Sequence, residues 1–409
     1  MLIGDDFTPI AGIGRQLDDQ AALGRAADDL PAARAEPPAV LALGEPTHGI
    51  AAFPLLRNDL LRHLVTRGYR SVVLETDFFA ASVVDGYARG GEGAVEEVLA
   101  TGFSHRFGAV PGNRELVEWL RGYNAGRPPR DQVRFHGFDA PTETSHAPSP
   151  RHALAAVRDH LPGPLRPGSA AGLDVVAGED ADWTNPAAMY DPSASVGRSD
   201  RARALRAIAD DLADALRRAE PDLRPDDPTG YDLAAAHART ARGLLRYHAA
   251  MADPSPDRLA ALLDLRAEMM ADNLLAIVAA ERDRGPSLVF AHNAHLLRTP
   301  STLAMGGREV RWSNAGTRVA RTLGERYLVV ATDANPRSEP GTLQHVLAGA
   351  TTAPRALFPA ADLRAALAPS IRAGDPIVPG HLPLTPADLA GADAVVFVAD
   401  TDGVRHEYW

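Results

Sequence analysis

The sequence predicts an α/β fold in which a mainly parallel central sheet is flanked by helices and interrupted by a large α-helical insert. Six short apolar segments of strand length recur along the chain, and most of them end in Glu, Asp, His or Asn. Helical patterns alternate with these segments, which is typical of a parallel sheet covered by helices. Between the third and fourth segments lie about 130 residues of almost continuous helical pattern, far more than a connecting loop contains.

The elements follow one another in a regular order. The predicted strands are Val40–Leu43, Ser71–Asp77, Val133–Asp139, Ser287–Asn293, Tyr327–Asp333 and Ala394–Asp400. Amphipathic helices are predicted at Leu17–Arg34, Phe53–Gly68, Phe78–Arg89 and Glu115–Ala125, and further helices fill most of His152–Arg284. Two stretches, Gly163–Ser199 and Asn335–Leu384, show no periodicity that assigns them. We therefore divide the chain into a first part of the α/β core at 1–150, a helical insert at 151–284 and a second part of the core at 285–409.

Composition excludes several classes of function. With 409 residues, 45% hydrophobic and 23% charged, the chain has the profile of a soluble globular protein of one large or two smaller domains. A net charge of −11 argues against nucleic acid and anionic membranes as partners. Cysteine and lysine are both absent, so thiolate metal sites, thiol nucleophiles and Schiff-base chemistry are excluded. Since neither a signal peptide nor a membrane span is recognisable, we expect a cytoplasmic protein.

The stretch VLALGEPTHGI, from Val40 to Ile50, is the most informative part of the chain. An apolar strand breaks at Gly44, and Glu45 and His48 follow within a short turn. Open α/β sheets bind ligands at the carboxyl ends of their strands. If the predicted strands are parallel, further polar residues lie toward the same edge: Glu75, Asp77, Asp139, His292, Asn293, His295, Asp333 and Asp400.

These residue types support two chemistries. The chain has no G-x-S-x-G, no H-E-x-x-H and no glycine-rich nucleotide-binding motif, which argues against serine hydrolases of the elbow type, zincins and nucleotide-binding enzymes. In one chemistry a histidine acts as general base on water. In the other, Glu45-x-x-His48 and His292-x-x-His295 bind a divalent metal that activates the water. On its own, Arg57 in the following helix is expected to be solvated or salt-bridged.

The order and spacing of several motifs resemble the erythromycin esterase family. The motifs are GEPTHG with Arg57 nine residues beyond its histidine, then VLETDFFAA, RFHGFD and FAHNAHLL. Their surroundings, RELVEWLRGYN, RAEMMADNLL, AMGG and TRVARTLGERY, are similar as well. The resemblance extends over roughly Asp18 to Asp333 and does not include the tail beyond it.

The resemblance implies a metal-independent hydrolase without a cofactor that opens macrolactone esters, with the helical insert serving as a lid. By motif match, His48 is the base that activates water, and Glu45 and Glu75 orient the base or the water. Arg57, His292 and His295 complete the site by steadying the oxyanion or the substrate. The chain departs from the family at Ala51-Ala52-Phe53, where an acidic residue is common, and at His136, where an aromatic residue is common. Both departures reshape the expected pocket more than its chemistry.

We expect the substrate to be a bulky, largely apolar ester, lactone or polyketide. The insert is large, and the irregular stretch beside it carries Trp183 and Tyr190, which suit an adaptable apolar wall. We also expect His136 and Asn293 to contact the substrate.

Several alternatives remain open at this point. The insert can be a simple scaffold with its aromatic residues packed inside. The same scaffold can catalyse cyclisation, acyl transfer or dehydration of a biosynthetic intermediate. A metal-dependent hydrolase or a protein that only sequesters its ligand are further possibilities, and the sequence does not indicate an oligomeric state.

Overall fold

A mainly parallel sheet is the centre of the fold. The computed structural model describes residues 10, 12–32, 34–142, 147–305, 307–401 and 404–407. The strands in these ranges are β1 (Arg15–Gln16), β2 (Val40–Glu45), β3 (Ser71–Asp77), β4 (Arg134–Asp139), β5 (Ser287–His292), β6 (Ser301–Met305), β7 (Arg308–Trp312), β8 (Tyr327–Ala334), β9 (Arg355–Pro359) and β10 (Ala394–Val398). The short strands β6 and β7 form a separate two-stranded sheet.

The large sheet has the strand order β1-β9-β10-β8-β2-β5-β3-β4. Strands β10, β8, β2, β5 and β3 pair in parallel, whereas β9 runs antiparallel to both β10 and β1. The neighbouring inner strands β2 and β5 are buried along their whole length, which explains why both appear in the sequence as unbroken apolar runs. Their register places Glu45 opposite His292. The predicted fold class is confirmed, and each of the six predicted strands is present.

Helices connect and cover the strands. Their bounds are α1 (Gln20–Asp29), α2 (Ala52–Thr66), α3 (Ala81–Ala88), α4 (Val95–Thr101), α5 (Asn113–Asn124), α6 (Arg151–His160), α7 (Leu173–Ala177), α8 (Asp200–Asp226), α9 (Pro228–Met251), α10 (Arg258–Glu281), α11 (Asn293–Leu296), α12 (Ala315–Leu323), α13 (Leu343–Gly349) and α14 (Ala360–Ala366). Helix α8 continues through Pro221 and Pro225, past the point where its pattern fades in the sequence. Within the described residues, the helices are too short or too polar to cross a membrane.

Contacts divide the chain into two compact units. Unit 1 comprises Met1–Phe138, Leu274–Leu303 and Ser313–Trp409 and contains the large sheet, with a core built around residues such as Leu41, Phe53 and Phe290. Unit 2 comprises Asp139–Asn273 and Ala304–Trp312, and the apolar faces of α6, α8 and α9 form its core. The division at 150 and 284 that the sequence suggests stays a prediction.

Two strands of the large sheet have no clear signal in the sequence. Strand β1 is only two residues long, and β9 lies in the proline-rich stretch 335–384 that shows no periodicity. Both are held by antiparallel pairing near the edge of the sheet, so their position depends on their partners more than on their own composition. In the other unassigned stretch, 163–199, short 3-10 turns surround α7.

Candidate active site

The turn after β2 joins Glu45 and His48 in a direct hydrogen bond. His48 Nδ1 lies 2.7 Å from Glu45 Oε1. Gly49 closes the turn with φ of 85°, a left-handed conformation that favours glycine. Because a carboxylate oxygen only accepts, the proton of neutral His48 is assigned to Nδ1, which leaves Nε2 as the basic nitrogen.

Glu75, from the end of β3, links this pair to the two histidines that follow β5. Its Oε1 lies 3.8 Å from His48 Nε2 and 3.2 Å from His295 Nε2. Its Oε2 accepts the backbone N–H of His292 at 2.8 Å. The structure therefore brings Glu45, His48, Glu75, His292 and His295 together at the carboxyl ends of three neighbouring strands.

The ring of His292 makes hydrogen bonds through both of its nitrogens. Nε2 donates to the carbonyl oxygen of Pro46 at 2.9 Å, and Nδ1 accepts from the backbone N–H of Ala294 at 3.1 Å. Burial, reinforced by the charge of His48, lowers the pKa of His292 to about 3. His292 is therefore neutral near pH 7, with its ring centroid 5.4 Å from that of His48.

Opposing effects set the charge of the Glu45–His48 pair. Burial by itself lowers the pKa of His48, but the charge of Glu75 and the hydrogen bond with Glu45 outweigh burial and raise it. Burial raises the pKa of the Glu45 carboxyl, although the bond from His48 opposes this shift. The side chain of His48 keeps 21% of its surface exposed, so this histidine is within reach of a small molecule.

Arg57 is fully buried beneath the site, contrary to the expectation that it is solvated or salt-bridged. Its guanidinium donates to Asn58 Oδ1, to Asn113 Oδ1 at 2.8 Å and to the carbonyl of Gly112 at 3.0 Å. It also lies over the Phe290 ring, 5.0 Å from the centroid. Burial lowers the pKa of Arg57 to about 9, so the guanidinium stays charged at neutral pH.

A small cavity lies beside these groups. Glu45, His48, Arg57 and Glu75 line it together with apolar residues that include Phe290, and its volume of about 20 Å³ suits about one water molecule. Glu45 Oε2 is buried and has no hydrogen-bond partner among the residues that the structure describes. Within those same residues, no three acidic or histidine side chains are arranged to hold a metal ion.

Two of the expected substrate contacts are bonded to protein groups instead. Asn293 is buried, and its amide donates to the carbonyl of Thr332 at 2.8 Å, which ties the end of β5 to β8. His136 in the edge strand β4 lies 3.2 Å from Glu281 Oε1. The structure does not gather either residue with His48, and their contact with substrate stays a prediction.

The two aromatic residues of the insert that are expected to contact the substrate differ in exposure. Trp183 is 2% exposed, and its indole N–H donates to the carbonyl of Ala177 at 2.9 Å inside unit 2. Tyr190 is 80% exposed. Trp183 thus packs within the core of its own unit, while Tyr190 is open to contact, and a substrate-binding role for either remains a prediction.

Other carboxylates at the strand ends are bonded within the fold. Asp77 accepts backbone N–H groups of the turn that follows β3. Asp139 pairs with Arg266 in unit 2 at 2.6 Å. Asp333 lies 3.0 Å from His381 Nε2, and both side chains are fully buried. These three acids therefore belong to the scaffold rather than to the cluster around His48.

The segment around Phe107 packs against His48, and the sequence gives no indication of this contact. The ring centroid of Phe107 lies 4.7 Å from that of His48 and 5.4 Å from that of His105. His105 and Arg106 both adopt left-handed backbone angles, with φ of 54° and 57°. No local signal marks this arrangement, because only tertiary packing holds residues other than glycine in that conformation.

A known protein family matches most of the chain. A family model described as Erythromycin esterase matches residues 65–344, more than half of the chain. The matched range begins after Glu45, His48 and Arg57 and ends before the tail that carries β9 and β10. No curated protein matches the sequence.

Solved structures share the fold over nearly the whole chain. A Bacillus cereus protein has a TM-score of 0.71 at 15% identity, covering 96% of each chain. A succinoglycan biosynthesis protein has a TM-score of 0.66 at 14% identity, covering 98% of this chain and 97% of its own. A mutant of the erythromycin esterase EreC in its open conformation has a TM-score of 0.66 at 18% identity, covering 95% of each chain. At these identities the likeness establishes the fold alone. The family match confirms the resemblance read from the motifs: the chain belongs to the erythromycin esterase family.

Proposed function

We propose that this protein hydrolyses an ester or lactone bond, with His48 as the general base that activates water. One observation carries the proposal. Glu45 accepts a hydrogen bond from Nδ1–H of His48, which leaves Nε2 as the basic nitrogen. Nε2 faces Glu75, and His48 lines a cavity with room for about one water molecule. A carboxylate that orients an imidazole and stabilises its protonated form is the arrangement that also serves Ser-His-Asp enzymes. We propose water as the nucleophile here, because the cavity lined by His48 has room for about one water molecule.

The proposed reaction has two proton transfers. His48 Nε2 takes a proton from water while the water oxygen bonds to the carbonyl carbon, and the carbonyl electron pair moves to its oxygen. The tetrahedral intermediate then collapses, the bond to the leaving alcohol oxygen breaks, and this oxygen takes the proton back from His48. General-base help of this kind contributes roughly 10²–10⁴ in rate.

Nearby charges would stabilise this reaction. The carboxylates of Glu45 and Glu75 favour the protonated form of His48, which raises its pKa and helps it to hold the proton. The Arg57 guanidinium supplies a buried positive charge beside the cavity, and such a preorganised charge stabilises a developing oxyanion. We assign His295 to holding Glu75 in place, and His292 to holding the turn rather than to proton transfer, because both nitrogens of His292 are hydrogen-bonded.

Family membership supports a macrolide-like lactone as the substrate. We propose a bulky small molecule and a reaction without a metal. The test is a panel of macrolides, other lactones and small aryl esters, assayed before and after exhaustive chelation.

Ring-opened acids in chelated enzyme are the expected products. Activity that disappears on chelation and returns with zinc or manganese would assign the site to metal-assisted hydrolysis. Products that have not gained water would assign it to cyclisation, acyl transfer or dehydration. Tight binding without turnover would identify a sequestering protein.

A further inference from the structure

A buried acid–histidine pair that the proposed reaction does not use links β8 to the tail beyond the family match. Asp333 is the penultimate residue of β8, the strand next to β2 in the sheet, and His381 belongs to the irregular segment before β10. His381 Nε2 lies 3.0 Å from Asp333 Oδ1, and His381 Nδ1 accepts the backbone N–H of Ile377 at 3.0 Å. The Nε2 nitrogen therefore carries the proton and donates it to Asp333.

The carboxylate of Asp333 is an organising centre for this tail segment. Besides His381, it accepts the backbone N–H of Ala334 and of Leu384, both at 2.8 Å, and the side-chain amide of Gln344 at 2.7 Å. Strand β8 is anchored in the sheet, so these bonds fix the loop 377–384 against a rigid element.

This loop donates a backbone hydrogen bond to the turn that carries Glu45 and His48. The backbone N–H of Leu382, adjacent to His381, donates to the carbonyl oxygen of Pro46 at 2.9 Å. The same oxygen accepts the Nε2 proton of His292, also at 2.9 Å. Pro46 lies between Glu45 and His48, so the orientation of its carbonyl affects the placement of both. Further along the tail, the N–H of His406 donates to the carbonyl of Gly49 at 2.8 Å.

We infer that Asp333 and His381 are positioning residues of the candidate site: they hold the loop 377–384 so that Leu382 and His292 bind the Pro46 carbonyl together. The effect on catalysis rests on the proposed function, but the effect on His292 does not. When the carbonyl is fixed, His292 keeps its proton on Nε2 and the Glu45–His48 pair keeps its direction. A displacement of about 1 Å in such a group is enough to lower the rate about 100-fold.

The experiment compares His381→Leu with His381→Gln in the full chain. The leucine variant loses both hydrogen bonds of the ring, whereas the glutamine amide can donate to Asp333 and accept from Ile377. Asp85→Asn is the matched control, because Asp85 is also buried in unit 1 and pairs with Arg134 at 2.7 Å, but it bonds to β4 and not to the Pro46 turn among the described residues.

Two measurements are made on each variant. In nitrogen NMR of histidine-labelled protein, we expect His292 to show the Nε2-protonated tautomer in the wild type and in His381→Gln, and a mixture of tautomers in His381→Leu. In the lactone assay, we expect His381→Leu to lower kcat about tenfold or more with little change in KM, and His381→Gln to restore it to within about threefold.

The inference is overturned if His292 keeps one tautomer in His381→Leu, or if Asp85→Asn lowers kcat as much as His381→Leu does. If the leucine variant does not fold, Asp333→Asn replaces it, since that change keeps the volume and removes one acceptor. A wild-type protein without lactonase activity would refute the proposed function, and the tautomer measurement would still decide this inference.

Discussion

Two acid–histidine pairs lie at the ends of neighbouring strands of the sheet, and they differ in exposure and in the bonding of their carboxylates. After β8, Asp333 and His381 are fully buried, and the hydrogen bonds described above engage both carboxylate oxygens and both ring nitrogens. After β2, Glu45 Oε2 has no partner among the described residues, and the side chain of His48 is partly exposed. A fully bonded and buried pair stabilises the fold, whereas a partly exposed pair beside a cavity can contact a small molecule.

The largest expected effect is on turnover after His48→Asn. Asparagine cannot act as the base, so we expect kcat to fall roughly 10²–10⁴-fold while the melting temperature stays near that of the wild type. His63→Asn is the matched control, because His63 also pairs with a carboxylate, Asp28 at 2.8 Å, but lies outside the site. Steady-state kinetics beside thermal melts would measure both. Near wild-type turnover in His48→Asn would remove the distinction between the two pairs.

For the free energy of unfolding we expect the opposite order: a change in the Asp333–His381 pair should cost more than a change in the Glu45–His48 pair. Asp333→Ala leaves several buried donors without an acceptor, so we expect the free energy of unfolding to fall by about 3–5 kcal/mol. Glu45→Gln keeps the shape of its side chain, and we expect a change of about 1 kcal/mol or less together with a clear loss of kcat. Urea denaturation of the two variants gives the comparison directly. Equal losses of stability would mean that Glu45 belongs to the scaffold as much as Asp333 does.

Gly44→Ala tests how closely β2 packs against Asn293, in the region between the two acid–histidine pairs. A Cβ at Gly44 would lie 2.1 Å from Asn293 Oδ1, and Thr332 donates its hydroxyl to the Gly44 carbonyl at 2.7 Å. We expect overpacking to lower the free energy of unfolding by about 1–3 kcal/mol. Gly122→Ala in helix α5 is the control, because a Cβ there meets no atom within 4 Å and removes the helix penalty of glycine. A Gly44 variant as stable as the Gly122 variant would show that Asn293 moves easily.

The smallest expected effect is a shift of the pH profile in Glu75→Gln. The charge of Glu75 raises the pKa of His48, and the base acts only in its neutral form, so turnover should rise with pH as His48 loses its proton. Removing that charge lowers the pKa, and the rising limb of kcat should move to lower pH. If the rising limb of kcat stays in place or moves to higher pH, the limb reports the titration of a group other than His48.

The sequence predicted the strands of the sheet and the cluster around His48 for the same physical reason. Buried parallel strands are long apolar runs, and their polar ends meet at one edge, so Glu45, Glu75 and His292 could be placed together without any knowledge of the side-chain contacts. The burial of Arg57 could not be predicted, because Asn58 and Asn113 accept hydrogen bonds from its guanidinium only after the chain has folded.

Partners distant in the chain were also beyond prediction. Asp333 was expected at the edge of the sheet, but its partner His381 comes 48 residues later in a stretch without periodicity. Strand β9 lies in the same stretch and contains a proline, which weakens its own signal. The sequence predicts that Trp183 belongs to an apolar wall around the substrate; the structure places it in the core of unit 2, and its contact with substrate stays a prediction.

The left-handed residues beside Phe107 have a consequence for directed evolution. Each residue other than glycine costs roughly 1–2 kcal/mol in this conformation. Arg106 is exposed, so selection for heat resistance alone should favour glycine or asparagine there, and activity should be retained. His105 is half-buried and contacts the Phe107 ring that packs against His48, so selection for heat resistance and selection for activity should choose different residues at that position.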